Sequence, residues 1–288
     1  MQSKDDNVGT EEKRIINGAT DTKTTKPMKT RSGLMKFSSY ILALRPWSLS
    51  GSLMPTLLGS TLAYKYPGAA NFNYITLVLT VFISVSVHGA GCVGFILLTA
   101  ISPAKMEHLA LVYFGGLSSS FLYTGGIGLK YIALGDILIL IIFGPVSVLF
   151  AFMSQTGRLE WATIYYAIPL ALNTEAILHS NNTRDMEVDR KAGIVTLAIL
   201  IGHTCSHVLY AFLLFTPYIM FIIMTIKYSK WFILPLVTLP NAFKIEKEFR
   251  SKDIANIPKK TAKLNLFFGI LFVMSCSIVP NIPYIVKR

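Results

Sequence analysis

Long apolar runs, separated by short polar segments, occupy nearly the whole chain after residue 38. A helix needs about 20 apolar residues to cross the roughly 30 Å hydrocarbon core of a bilayer. The runs do not alternate apolar and polar residues, which argues against the strands of a membrane β-barrel. The pattern therefore predicts an all-α, multi-pass transmembrane helical bundle. Its candidate spans are residues 39–64, 72–101, 107–124, 132–153, 162–180, 194–226, 231–243 and 264–282.

Two of these runs need more than one straight span to explain them. Residues 194–226 contain a polar patch at 203–207, which predicts a bend there or an interfacial turn before it. Residues 72–101 form either one long, tilted span or a hairpin that turns at the glycines between 89 and 94. The second arm of such a hairpin has about 10 residues, too few to cross a bilayer alone.

Composition separates a tail from a membrane domain. The 288 residues are 52% hydrophobic and only 15% charged, with a mean hydropathy of +0.53, which is outside the range of soluble domains. Residues 1–38 are polar and lack an apolar period, so they are predicted to form a disordered N-terminal tail. Residues 39–288 are predicted to form one membrane domain in contact with lipid.

The basic residues explain the net charge of +12 without a nucleic-acid partner, because they stand in the tail and in short loops. If the tail is cytosolic and the spans alternate, Lys130, the cluster at 184–191 and the stretch at 244–263 fall on the cytosolic side. This distribution follows the positive-inside tendency. The other side then holds Lys65, Lys105, Arg158, Lys227, Lys230, Lys287 and Arg288.

A dense polar segment at the end of one apolar run carries the most specific chemistry. Asn181, Asp185 and Asp189 are spaced i, i+4, i+8, so on a helix their oxygens project from one face. Two carboxylates and an amide oxygen are hard ligands suited to Mg²⁺, which binds through few carboxylates together with substrate phosphates. An ordinary solvated loop between helices is the alternative. The cations that add positive charge for the same anion are Arg184, Arg190 and Lys191.

The string NNTRDMEVDRKAGIVTLAILIG resembles the second aspartate-rich motif of the UbiA-superfamily intramembrane prenyltransferases. Within that family it is most similar to the naphthoate branch, which makes menaquinone. Two further segments resemble the same branch: LRPWSLSGSLMPTLLGSTLAY at 44–64 and FLYTGGIGLKYIALGDILILIIFGP at 121–145. The resemblance extends from about Ser39 to the C-terminus. It implies a bundle of the family's nine-helix type, with about eight helices expected here.

The resemblance implies transfer of an isoprenyl group, geranylgeranyl-like, from its diphosphate to a naphthoquinol-type aromatic acceptor, with Mg²⁺ as cofactor. It assigns Asn181, Asp185 and Asp189 to Mg²⁺ and diphosphate, Lys130 to the leaving group and Tyr123 to the pocket wall. Arg45 is a further candidate for the diphosphate. Each of the last three also has a structural interpretation. Lys130 suits a basic loop, Tyr123 an interfacial belt, and Arg45 a side chain that snorkels to the interface.

One part of the family pattern is missing. Family members carry a first NxxxDxxxD motif and a charged loop after the second helix, whereas here Gly91 is followed at once by the apolar run that begins at Cys92. No aspartate-rich segment replaces the motif, and Asp136 stands isolated in the sequence. A spliced isoform and an incorrect gene model would both produce this join.

Two hypotheses follow from the missing motif. The first is an enzyme of menaquinone (vitamin K2) biosynthesis, possessing impaired activity, in the endoplasmic reticulum, Golgi or mitochondrial membrane. The second is a non-catalytic membrane protein that binds isoprenyl diphosphate or a partner protein in sterol or isoprenoid regulation.

Overall fold

The computed structural model describes residues 49–66, 72–85, 88–251 and 254–285. These residues belong to one compact unit and contain helices but no strand, which confirms the all-α class. The helices are α1 Ser50–Tyr64, α2 Tyr74–Val85, α3 His88–Ile101, α4 Met106–Thr124, α5 Gly135–Thr156, α6 Ala162–Lys191, α7 Leu197–Lys227, α8 Leu239–Arg250 and α9 Ile257–Ile278, with 3-10 segments at Leu129–Tyr131 and Lys230–Thr238.

Within the described ranges, three helices are long and apolar enough to cross a membrane. They are α5, α7 and α9, with 22, 31 and 22 residues. Helices α2 and α3 are apolar but shorter. Helix α6 has 30 residues, but its C-terminal third carries the charged motif. The chain is therefore an all-α membrane protein.

Glycines let the helices of the bundle approach closely. A Cβ atom at Gly59 of α1 would lie 2.3 Å from the Val148 carbonyl oxygen and 2.8 Å from the Ala151 Cβ of α5. A Cβ at Gly144 of α5 would lie 2.4 Å from the Ala171 Cβ of α6. Small residues at helix crossings are typical of membrane bundles, where dispersion contacts replace the hydrophobic effect between helices.

The segment at 72–101 is a hairpin. A Cβ at Gly94 in α3 would lie 2.9 Å from side-chain atoms of Phe82 and Ile83 in α2. In a straight helix residues 83 and 94 would be about 16 Å apart. Because α2 ends at Val85 and α3 begins at His88, the turn precedes Gly91 and Gly94, and the predicted position of the turn was wrong. The arms have 12 and 14 residues, so each spans only about 18–21 Å.

Both ends of this hairpin lie beside the C-terminus of α5. At its start, the backbone N–H of Asn73 donates to Gln155 Oε1 over 3.2 Å. At its end, the hydroxyl of Ser102 donates to the carbonyl oxygen of Ser154 over 2.7 Å. The hairpin thus enters and leaves at one end of the bundle.

The basic segments predicted to share a side all lie toward the other end, which we call the basic end. The Lys130 segment is tied to the loop after α6, because the backbone N–H of Ala133 donates to the Val195 carbonyl oxygen over 2.8 Å. Helix α8 reaches the same end, because the centre of the Phe249 ring lies 5.1 Å from that of His207 near the start of α7. An ion pair between Glu248 and Lys260 ties α8 to the start of α9. The cytosolic location of this end stays a prediction.

Two predicted spans differ from the helices, and the bend predicted in a third is present. The span at 162–180 continues as α6 through the charged motif to Lys191, which rules out the loop alternative for that motif. The span at 231–243 is a 3-10 segment followed by α8, which extends into the basic stretch. The bend predicted near 203 is confirmed, because Gly202 is non-helical within α7, with φ 74° and ψ 173°.

Candidate functional site

The last three turns of α6 carry the predicted metal motif. The helix is continuous from Ala162 to Lys191, so Asn181, Asp185 and Asp189 lie within about 80° of one another around its axis. All three are partly buried. Their two carboxylates and one amide oxygen fit the oxygen chemistry of Mg²⁺ as one half of a site, whose remaining ligands would be diphosphate oxygens and water.

Two of the cations predicted for the diphosphate are already ion-paired. Arg184 donates from Nε and NH2 to the two Asp185 oxygens, both over 2.7 Å, as a bidentate pair. Arg190 donates to Glu187 over 2.9 Å. Lys191 is exposed at the end of α6. Arg45 lies outside the described residues, so its predicted contact with the diphosphate stays a prediction.

Lys130 and Asp189 come from distant segments but interact electrostatically. Burial and the nearby Asp185 carboxylate raise the pKa of Asp189, whereas the positive charge of Lys130 lowers that pKa. The ammonium of Lys130 also lies 5.9 Å from the centre of the Tyr131 ring. The structure therefore brings the Lys130 segment beside the acidic motif.

A tight turn between α4 and α5 positions both Lys130 and Tyr123. The turn begins at Gly128, whose φ of 66° is left-handed and favours glycine. It then packs against Gly135, where an added Cβ would lie 3.1 Å from the Tyr123 ring and 3.2 Å from the Lys130 Cα. Tyr123 and Lys130 thus flank the first residue of α5.

Three buried polar residues that sequence reasoning missed or undervalued lie next to this turn. Asp136 is not isolated, because its Oδ1 lies 3.9 Å from Nδ1 of His179 and its carboxyl group interacts with that of Glu175. Asp136 and Glu175 are each 5% exposed and His179 is fully buried. The available signal was Glu175, an ionisable residue within an apolar run, which marks a candidate functional position in a membrane protein.

A mostly apolar cavity of about 210 Å³ lies among α1, α2, α3, α4 and α5. Its walls include Ser52, Ile83, Tyr113 and Phe143. Part of the wall is a π-helical turn at Ile142–Val146 in α5, a feature that is frequent at functional sites. The cavity is suited to an apolar ligand or to part of one.

In the part of the chain that the structure describes, no group of three or more His, Cys, Asp or Glu side chains is placed to hold a metal ion. The Asp185 and Asp189 pair is thus one half of a site at most. A complete site would need further oxygen ligands from the bound anion or from another segment.

The structure thus combines a helical membrane bundle, an apolar cavity, and acidic and amide oxygens beside basic groups at the end of α6. Comparison with known proteins identifies the family. The profile of the UbiA prenyltransferase family matches residues 90–272, and the chain belongs to this family.

Curated relatives cover most of the chain. It is 58% identical to the UbiA prenyltransferase domain-containing protein 1 homolog of Drosophila melanogaster, over 88% of this chain and 83% of the relative. It is 46% identical to UbiA prenyltransferase domain-containing protein 1 of Danio rerio, over 92% and 94% of the two chains. With the Homo sapiens protein of that name it shares 48% identity, over 87% and 86%.

These alignments also contain positions that this chain does not fill. The Drosophila alignment has 299 positions but uses 88% of a 288-residue chain, which is about 253 residues. About 46 aligned positions therefore have no residue of this chain. The family match begins at residue 90, next to the join between Gly91 and Cys92.

Proposed function

We propose that this chain binds an isoprenyl diphosphate with Mg²⁺ at the C-terminal turns of α6. As a prenyltransferase it would transfer a geranylgeranyl-like group to a naphthoquinol-type acceptor in menaquinone (vitamin K2) biosynthesis. The observation that carries the proposal is the shared helical face of Asn181, Asp185 and Asp189 beside Lys130. Family membership supports prenyl transfer in general, and the acceptor and the metal are our additions.

Each candidate site residue has a distinct role in this proposed reaction. Asn181, Asp185 and Asp189 would hold Mg²⁺, which would supply positive charge to the diphosphate leaving group. Lys130 contacts the diphosphate leaving group. It stabilises the negative charge that develops on the diphosphate as the bond between its oxygen and the isoprenyl carbon breaks. The ring of Tyr123 lines the pocket and stabilises the allylic cation by about 0.5–2 kcal/mol.

The cations on α6 have a second task in this scheme. Asp185 is neutralised by the bidentate Arg184 pair in the structure. If Asp185 served as a ligand of Mg²⁺, the Arg184 guanidinium would be available to donate to diphosphate oxygens. Arg190 and Lys191 add positive charge at the same helix end, and Arg45 is proposed as a further cation for the diphosphate.

A second candidate function follows from the join at Gly91 and Cys92, where we place the positions missing from the alignments. The short hairpin and the start of the family match at residue 90 support this placement. Without the first acidic motif the chain would bind isoprenyl diphosphate, or a partner membrane protein, without efficient transfer. It would then act in sterol or isoprenoid regulation, in the endoplasmic reticulum, Golgi or mitochondrial membrane.

Alanine substitutions test the proposed binding site. Asp185→Ala and Asp189→Ala are expected to weaken Mg²⁺-dependent binding of a geranylgeranyl thiolodiphosphate by at least roughly 10- to 100-fold, because each removes a charged ligand. Binding would be measured in detergent by isothermal titration calorimetry, with and without Mg²⁺.

The matched control is Glu187→Ala, which removes an exposed carboxylate from the same helix turn but from the opposite face. Because this change also releases Arg190 from its ion pair, the affinity for the analogue should be no weaker than that of the unchanged chain. Equal affinity in all three variants would mean that this face of α6 does not bind the diphosphate.

A further inference from the structure

Asp136, Glu175 and His179 form a buried cluster of unpartnered acceptor atoms, which we call the acceptor cluster. Glu175 and His179 are one turn apart on α6, and Asp136 stands in the first turn of α5. In the described part of the chain, Asp136 Oδ1, both Glu175 carboxyl oxygens and His179 Nδ1 are buried without a hydrogen-bond partner.

The other ring nitrogen defines how His179 faces this cluster. Nε2 lies 3.2 Å from the carbonyl oxygen of Ser206. A carbonyl oxygen only accepts hydrogen bonds, so Nε2 carries the hydrogen. In the neutral imidazole Nδ1 is then an acceptor, and at 3.9 Å from Asp136 Oδ1 it is too far for a hydrogen bond.

Such a cluster calls for hydrogen-bond donors. Buried polar atoms in native proteins are nearly always satisfied, and leaving one without a partner costs about 1–3 kcal/mol. A proton shared between the two carboxyl groups satisfies one of these atoms and leaves the others as acceptors. Hydroxyl groups of a ligand would provide hydrogen-bond donors for these acceptor atoms, because each hydroxyl carries an O–H.

The acceptor cluster lies next to the turn that positions Tyr123 and Lys130. Asp136 follows Gly135, against which Tyr123 and Lys130 pack. Unpartnered polar atoms continue along α6 at Asn173 and Thr174.

This polar strip leads to the cavity. An added Cβ at Gly51 would lie 3.2 Å from Thr174 Cγ2 and 3.9 Å from the Phe143 ring. Phe143 also lines the 210 Å³ cavity. Thr174, which precedes Glu175 in α6, thus lies close to the same part of α1 as Phe143 of the cavity wall.

We propose that the acceptor cluster binds the hydroxyl groups of the aromatic substrate, a ring that carries at least one O–H donor. This inference rests on the proposed function and names the residues that hold its second substrate. Glu175 and Asp136 accept from the hydroxyl groups, and His179 Nδ1 completes the set of acceptors. Tyr123 and Phe143 provide the flanking aromatic surfaces.

The test compares two ligands with the same ring, whose oxygen atoms carry a hydrogen in one and a methyl group in the other. 1,4-Dihydroxynaphthalene has two hydroxyl donors, and 1,4-dimethoxynaphthalene has none. Binding to the full chain in lipid nanodiscs would be measured without oxygen, in the presence of Mg²⁺ and the thiolodiphosphate. The unchanged chain should prefer the diol by roughly 10- to 100-fold, the range expected for hydrogen bonds to charged groups.

Isosteric variants then identify the residues that cause the preference for the diol. Glu175→Gln and Asp136→Asn each replace an acceptor oxygen by an NH₂ donor and should remove most of the preference for the diol. The matched control is Glu246→Gln in α8, another buried glutamate, which is paired with Arg250 and lies outside the cluster. This control should keep the preference.

The outcomes separate the inference from the function on which it rests. Equal affinity of the unchanged chain for the two naphthalenes overturns the inference, even if the variants fail to fold. A parallel fall in affinity for both ligands in Glu175→Gln and Asp136→Asn also overturns it, because a merely structural role predicts that result. Loss of Mg²⁺-dependent thiolodiphosphate binding by the unchanged chain overturns the proposed function instead.

Discussion

Replacing Gly59 by alanine introduces one methyl group at the crossing of α1 and α5. Its Cβ would lie 2.3 Å from the Val148 carbonyl oxygen and 2.8 Å from the Ala151 Cβ. Favourable contacts between heavy atoms begin at about 3.5 Å, so the two helices must separate by about 1 Å. The atom that blocks the methyl group belongs to the backbone, and no side-chain rotation relieves the contact.

The expected cost follows from this geometry. A gap of about 1 Å forfeits up to about half of the dispersion energy of each affected contact. Overpacking typically costs about 1–3 kcal/mol, and alanine returns up to about 1 kcal/mol because of its higher helix propensity. With a backbone atom in the way, Gly59→Ala should destabilise the protein by about 1–2 kcal/mol. The transition temperature should then fall by roughly 2–8 °C.

Gly115→Ala in α4 is the matched control, because nothing lies within 4 Å of an added Cβ there. It should leave stability unchanged or raise it by up to about 1 kcal/mol. Thermal unfolding of both variants would be followed by circular dichroism in one detergent. If Gly59→Ala is as stable as Gly115→Ala, the close approach of α1 and α5 does not contribute as argued.

Two further predictions concern the hairpin. In a cysteine-free background, Glu187→Cys and Lys105→Cys should react with a membrane-impermeant maleimide from opposite sides of sealed vesicles. The reason is that the hairpin returns to the end where it began, which leaves Lys105 at the end opposite to Glu187. Labelling of both cysteines from one side would contradict this prediction. If an acidic motif is missing at the join, as proposed above, the chain should form prenylated naphthoquinol more slowly than a version with a relative's segment inserted between Gly91 and Cys92. The expected difference is more than about 10²- to 10³-fold, because that motif would share the charge of the leaving diphosphate. Comparable product from both would show that the motif is dispensable.

Run length and composition were sufficient to predict an all-α membrane bundle, because a bilayer imposes the same length on each crossing helix. They did not decide between a hairpin and a long span at 72–101, since both bury the same apolar residues. Contacts of Gly94 with Phe82 and Ile83, which lie across the turn, decide it. Such contacts depend on packing and not on local pattern.

The α6 motif could be predicted from the sequence, whereas the contact between Asp136 and His179 could not. Asn181, Asp185 and Asp189 share one helix, so their spacing alone predicts their common face. Asp136 and His179 are 43 positions apart and meet only because α5 packs on α6. Their proximity depends on tertiary structure, which is why Asp136 was judged to be isolated.

Helix ends were misplaced where charge was taken as a sign of a loop. Helix α6 continues through the charged motif to Lys191, with an ion pair between Glu187 and Arg190 one turn apart on its exposed face. Helix α8 likewise extends through Lys244 and Lys247. Charged residues three or four positions apart support a helix beyond the bilayer as well as a loop would.

The short hairpin also bears on the orientation of the rest of the membrane domain. A hairpin that returns to the end where it began adds either no membrane crossing or two, so the helices after it keep the same orientation in both cases. Every loop after Ile101 therefore emerges on the side that it would occupy if α2 and α3 were full-length crossings. The orientation of the helices that follow the hairpin is therefore independent of the length of its two arms, as long as the chain returns to the end where it began.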